Sequence, residues 1–257
     1  MGTMDYLHQL LLICPLCFLA GFIDAIAGGG GLISLPAYLA AGISPHFAAA
    51  TNKCSSTFGT LVACARYMKN KKLHYLAAVT AAVAALFGST LGAMLNMAMD
   101  ERILRYIMIG AVPVIAVFLL VKKEFGQVDT SGRFSKGTIA LLSVGIGFVI
   151  GMYDGFFGPG TGTFLSLAFC GIVGFDLLTA SGNTKMVNLA SNVAAFFTFA
   201  LSGRILWGLG VPGAVFGILG NYLGASFALK KGARFIRPMF FVVLAILLVK
   251  LIYDLAA

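Results

Sequence analysis

The sequence predicts an all-α polytopic membrane protein built from two related halves, and three observations carry that prediction. Hydrophobic residues make up 60% of the 257-residue chain and charged residues only 11%, where a soluble domain has about a quarter of its residues charged. The apolar residues fall into ten runs separated by short polar or glycine-rich stretches. The few distinctive residues in and around those runs recur at one spacing of 132 positions. It relates Lys53 to Lys185, Gly42 to Gly174, Lys72 to Arg204 and Gly88 to Gly220. It also relates Leu91-Gly92-Ala93 to Leu223-Gly224-Ala225, Arg102 to Arg234 and Arg105 to Arg237.

The first repeat is placed at 1–121, a connecting loop at 122–137 and the second repeat at 138–257. The first segment, about 7–27, resembles the core of a signal peptide, but no Lys or Arg precedes it and Asp24 interrupts the cleavage region, so it is expected to be retained. The second, 32–43, has 12 residues. At 1.5 Å per residue it covers about 18 Å, too short for a core of about 30 Å. It follows a run of four glycines, so it is expected to be a half-helix that either crosses or re-enters. The third, 45–65, opens with Ser44 as N-cap and Pro45 at the first helical position. Lys53 follows eight residues later, about 12 Å into the helix and near the midplane. Segments 74–97 and 103–121 complete the first set. The second set, 138–157, 162–173, 177–201, 206–228 and 235–256, repeats the plan. Asp176 stands where Ser44 does, Trp207 where Tyr75 does, and 162–173 is again short and glycine-led. Tyr75 and Trp207 read as interfacial anchors, as do the scattered His8, His46 and His74.

The net charge of +9 does not indicate a nucleic-acid partner, because the basic residues sit in short loops between apolar runs. Loops 66–72, 122–136 and 229–237 carry four basic residues each, whereas 98–105 and 202–205 carry only Arg102, Arg105 and Arg204. Counting each short segment as a crossing puts the three rich loops on one side, which makes the repeats inverted and both termini external. If the short segments turn back, the repeats are parallel and 229–237 lies outside. The charge distribution favours the inverted arrangement. The five cysteines all lie in apolar runs, so neither a disulfide framework nor a redox role for Cys14-x-x-Cys17 is expected. No metal or cofactor is implied, and the spans lack the matched His–Ser or His–Asp set that an intramembrane enzyme needs.

Two constellations are able to carry chemistry. The first is Asp24 followed by Gly28, Gly29, Gly30 and Gly31, echoed by Asp154 followed by Gly158, Pro159, Gly160, Thr161 and Gly162. Such glycines break a helix, and irregular backbone in a membrane must be buried in protein or line a wet cavity. Its free N–H groups, with the next helix N-terminus, suit an anion. The competing reading is close helix packing through small residues. Gly158 to Thr163 also resembles a nucleotide loop, but no Lys follows the last glycine. The second constellation is Thr51, Asn52 and Lys53 against Asn183, Thr184 and Lys185. A polar stripe continues through Ser56 and Thr60 in one repeat and Asn188 and Asn192 in the other. An ammonium at that depth is costly and marks a functional site by default. The alternative is a structural ion pair with Asp24 or Asp154.

Residues 21–36, Gly-Phe-Ile-Asp-Ala-Ile-Ala-Gly-Gly-Gly-Gly-Leu-Ile-Ser-Leu-Pro, followed by Ala50-Thr51-Asn52-Lys53, resemble the first-half signature of the TauE/SafE sulfite exporter family. Gly155-Phe156-Phe157-Gly158-Pro159-Gly160-Thr161-Gly162 and Thr184-Lys185 fit its second half, with Thr161 where glycine is frequent. The resemblance spans nearly the whole chain. It implies a multi-pass permease of the bacterial inner membrane, built by internal duplication and moving sulfur-containing or small organic anions. The expected function is secondary active transport of a small anion, sulfite or a sulfonate first, through a midplane site at the repeat interface. A passive anion channel and a carrier of a non-sulfur organic anion are the alternatives. Substrate binding is expected at Gly28 to Gly31, Thr51, Asn52, Lys53, Ser56, Gly158, Gly160, Thr161, Gly162, Asn183, Thr184, Lys185 and Asn188. Asp24 and Asp154 are expected to neutralise the lysines or carry a coupling proton. The partners are the anion and membrane lipid, and a homo-oligomer is compatible with such a bundle.

Overall fold

The computed structural model describes residues 5–70, 72–104, 126 and 128–231. Those residues form helices and turns, with no strand among them. The helices are α1 (Tyr6–Ala27), α2 (Gly31–Ala40), α3 (Pro45–Lys69), α4 (Tyr75–Ala98), α5 (Lys136–Phe156), α6 (Thr161–Ala168), α7 (Leu177–Leu201) and α8 (Trp207–Lys231). A π-turn at Phe169–Val173 extends α6. The expected segments 103–121 and 235–256 lie almost wholly outside the described residues. Among the described residues, four helices, α1, α4, α5 and α8, are long and apolar enough to cross a membrane. α3 and α7 are equally long at 25 residues, but their buried Thr, Asn, Ser and Lys residues lower their hydropathy.

Helix direction follows from which residues touch. Along α1 and α8 the contacts advance together, from Tyr6 with Gly208 to Phe22 with Gly224. α3 runs the same way, since Thr51 meets Leu206 and Gly59 meets Asn221. α4, α5 and α7 form a second concurrent set: Gly147 abuts Ala81, Gly155 abuts Ser89, and Asn183 meets His74. α3 opposes α7, for Lys53 and Thr60 both reach Asn192 while Ala50 and Cys54 cluster with Ala195 and Phe199. These interfaces are made by small residues that let backbones approach. A Cβ on Gly92 would strike the Met152 carbonyl, and one on Gly224 the Phe22 carbonyl. Between helices in lipid, close packing of this kind substitutes for a hydrophobic driving force.

The two short helices turn back. α2 starts with Gly30 beside Ala20 and Asp24 and ends near the beginning of α1, where Gln9 donates to the Ala41 carbonyl at 3.0 Å. α1 and α2 are therefore a helical hairpin. α5 and α6 are another, closed at its base by Thr130 N–H to Gly174 O at 2.7 Å. The hairpins enter from opposite ends of the bundle and meet at their tips. Sequence alone left open whether the short pieces cross or re-enter. They return to the end from which their hairpin began, because each tip is stopped by the other. A hairpin that enters and leaves at one end adds no net crossing, so the expectation that turning back makes the repeats parallel is corrected.

Some expectations are corrected. α3 continues one turn beyond 65 to Lys69, held by Tyr67, whose buried hydroxyl donates to Ala25 O at 3.3 Å. Asp176 caps α7 by accepting from Leu178 N and Thr179 N, but the Ser44 side chain makes no capping bond. His46 is buried rather than interfacial, with Nδ1 3.3 Å from Asn96 Oδ1. Tyr75 and Trp207 are both exposed at helix starts.

Candidate functional site

The tips cross through glycine. The chain leaves α1 at Gly28 with φ 78° and enters α6 through Gly158 and Gly160 with φ 91° and 79°, a region where only glycine sits without strain. Gly28 and Gly162 pack backbone on backbone, and Gly31 lies against Pro159. Thr163 stitches the crossing, its N–H donating to Gly28 O at 3.2 Å and its hydroxyl to Ala27 O at 2.9 Å. α2 and α6 both begin here. Two helix N-termini thus turn their positive dipole ends toward one small region. Most of their first-turn N–H groups are already held, Leu32 N by Gly29 O, Ile33 N by Gly30 O, Thr161 N by Gly158 O and Thr163 N by Gly28 O.

The lysines pair across the two halves of the chain. Lys53 Nζ lies 2.8 Å from Asp154 Oδ1, and Lys185 Nζ lies 3.2 Å from Asp24 Oδ2. Lys53 also donates to Asn192 Oδ1 at 2.9 Å, and the other oxygen of Asp154 accepts from Ser191 Oγ at 2.5 Å. Lys185 also donates to the Asp24 main-chain carbonyl. The Lys53 and Asp154 side chains are 5% and 2% exposed, while Asp24 is 14% exposed beside a Lys185 at 1%. All four charges are compensated, as burial demands.

A cavity of about 40 Å³ lies at the crossing, room for about three water-sized groups. Lys53, Asp24 and Asp154 reach it, as do Gly28, Gly30 and Thr161 at the two tips. Lys185 does not. The cavity thus lies on the Lys53 side. The positions matched to its wall explain part of this. Thr184 and Ser166 hydrogen-bond each other at 3.1 Å, whereas Asn52 and Ser34, at the equivalent positions, both line the cavity. The second tip is braced by Tyr153, which donates to Pro159 O at 2.6 Å; the first has Ile23 at the corresponding place.

Residues 13–251 match the family model Sulfite exporter TauE/SafE. The chain belongs to the TauE/SafE sulfite exporter family. It is 36% identical over 259 residues to the probable membrane transporter protein YfcA of Escherichia coli K12, covering 98% of this chain and 95% of the relative. It is 36% identical to the probable membrane transporter protein ORF9 of a Sinorhizobium species, at 96% and 94% coverage. A probable membrane transporter protein of Haemophilus influenzae is 37% identical, at 92% coverage of both chains. No solved structure matches.

In this TauE/SafE member, the candidate residues divide. Gly28, Gly30, Gly31, Asn52, Lys53, Ser56, Gly158, Thr161, Gly162 and Asn188 line the cavity together with Asp24 and Asp154. Gly31 and Gly162 are already in the first turns of α2 and α6 rather than in the breaks. Gly29, Thr51, Gly160, Asn183, Thr184 and Lys185 are not in its lining. Thr51 Oγ1 accepts from Leu206 N at 3.1 Å and Asn183 Oδ1 from His74 N at 2.8 Å. Each ties its helix to the start of a neighbouring one. Sequence reasoning missed Ser34, Ser55 and Asn221, which also line the cavity. A signal was present: Ser34 and Asn221 stand 132 positions from Ser166 and Ser89, polar residues matched across otherwise apolar runs.

Proposed function

We propose that this protein is a secondary active transporter of small anions in the bacterial inner membrane, with sulfur oxyanions and sulfonates as the first substrates to consider. The carrying observation is the placement of Lys53 in a cavity bounded by two half-helix N-termini, an arrangement that concentrates positive potential without free cations at its walls. Asp154 neutralises Lys53. An arriving anion takes over part of that role, and the Lys53–Asp154 contact lengthens. Because this contact ties α3 to the α5–α6 hairpin, binding is coupled to movement of one hairpin against the other helices. A protein with no second stable arrangement would bind but not transport; the matched Lys185–Asp24 pair offers the counterpart contact for the opposite-facing state.

The repeats are proposed to be inverted, 1–121 against 138–257, joined by 122–137. The opposed directions of α3 and α7 support this, as do the reciprocal contacts of α1 with α8 and α5 with α4. The basic loops support it too. Lys72 packs at Gly182 near the start of α7, and Thr130 bonds Gly174, so both rich loops lie at the same end. Single cysteines at Lys69, Arg133 and Lys230 are expected to label from the cytoplasmic side, and one at Arg204 from outside. Labelling of positions 69 and 230 from opposite faces would discard the inverted reading.

For function, purified protein in proteoliposomes is expected to take up radiolabelled sulfite saturably, under an imposed gradient, and to show counterflow when unlabelled sulfite is trapped inside. Counterflow requires a carrier that returns loaded. Conductive, non-saturating flux without counterflow would favour a channel. Saturable exchange of glycolate or acetate with none of sulfite or sulfonates would favour the non-sulfur alternative.

A further inference from the structure

We infer that the anion this site accepts carries a hydrogen-bond donor, a hydroxyl, an amino group or a retained acidic proton, in addition to its negative charge. The inference rests on the anion-transport reading above. Its basis is two amide side chains in the cavity wall, Asn52 on α3 and Asn221 on α8. Both are at least nine-tenths buried, and neither Oδ1 has a hydrogen-bond partner. At Asn221 the orientation is fixed, because Nδ2 donates to Gly217 O at 3.0 Å. Turning the amide over would set Oδ1 against that carbonyl oxygen, so the open atom is an acceptor.

A buried acceptor left open is costly, and the fold had an alternative at the Asn52 position. Thr184, at the matched position, closes on Ser166. Asn52 does not close on Ser34, whose hydroxyl instead donates to Gly30 O at 3.2 Å. The positive side of the site is also only part-used. Two of the three N–H groups of Lys53 are taken by Asp154 and Asn192. Two residues of the wall therefore carry amide oxygens that a donor on the ligand would satisfy, beside the Lys53 ammonium for its negative group; both oxygens are covered by their neighbours, which the ligand must part to reach them. An anion with an apolar remainder would meet the ammonium and leave the amide oxygens unpartnered. One with a hydroxyl or amine beside its charged head would meet both, and a site built to accept such a bond discriminates strongly against analogues lacking it.

The test compares two matched pairs on the full-length protein in nanodiscs by titration calorimetry: glycolate against acetate, and 2-hydroxyethanesulfonate against ethanesulfonate. The hydroxyl-bearing member of at least one pair is expected to bind ten-fold or more tightly. Asn52→Thr, which copies the closed pairing of the second repeat, and Asn221→Leu are each expected to shrink that ratio. Equal affinities within two-fold in both pairs would overturn this inference and leave the anion reading standing. No binding of any of the four, nor of sulfite, would overturn both. A hydroxyl preference that survives both substitutions would overturn the assignment of Asn52 and Asn221 as its partners.

Discussion

Lys53→Ala is expected to weaken anion binding and gradient-driven uptake by roughly 10- to 100-fold, since a hydrogen bond to a charged partner is worth about 1.5–3 kcal/mol and each 1.4 kcal/mol is about ten-fold. Lys53 is the lysine that reaches the cavity. Lys53→Arg is expected to rescue only in part. The guanidinium is planar and larger than the ammonium it replaces, and Lys53 Nζ is confined beside Gly158, where a Cβ would come within 3.2 Å of it. Lys185→Ala is expected to act differently. Lys185 holds Asp24 through both side chain and main chain but does not itself line the cavity. Its loss should lower flux by unfastening the first hairpin, with a smaller change in equilibrium affinity. Flux and binding, measured side by side, separate the two roles. Near-normal flux in the Lys53→Ala, Lys185→Ala double variant would leave both lysines as structural charges.

The second large effect is on stability. Asp154→Ala removes the counter-ion of a lysine whose side chain is 5% exposed, and stripping one partner from a buried pair costs about 3–5 kcal/mol. Replacing both partners, as Lys53→Met with Asp154→Leu, is expected to recover most of that loss, because no charge is then left unpaired. The same cycle on Lys185 and Asp24 should give a smaller coupling, since Asp24 is 14% exposed and water can compensate it. Thermal melting of the four proteins of each cycle, in one detergent, gives the comparison. A double variant as unstable as the worse single one would show that the ion pair is not what holds α3 to the second hairpin.

The helices were legible because their signals are local. A run of apolar residues, a glycine break and a proline at a first position each act within a few residues, and α7 matches its expected bounds at both ends. The length of α3 was less legible, because its last turn is held by Tyr67 reaching Ala25, a contact 42 residues away in sequence. The spacing of 132 that matches Lys53 with Lys185 was legible as well, and Asp24 and Asp154, 130 apart (154 − 24), were matched by the glycine run that follows each of them.

By itself, then, the sequence determined the helical membrane class, the glycine breaks, and the depth at which two lysines and two aspartates had to find partners. Tertiary structure decided which partners they found. Lys53 meets Asp154 and Lys185 meets Asp24 because α3 and α7 run in opposite directions, which brings each lysine to the other half's hairpin. Only the packed tips decided that Gly28 would lie on Gly162 and that the half-helices would turn back. The inequality of the halves was also tertiary. A repeat spacing makes two positions equivalent along the chain, but whether Asn52 stays open or Thr184 closes on Ser166 depends on side chains from different helices. Those contacts carry no periodicity, and so the cavity beside Lys53 became visible only once the helices were placed together.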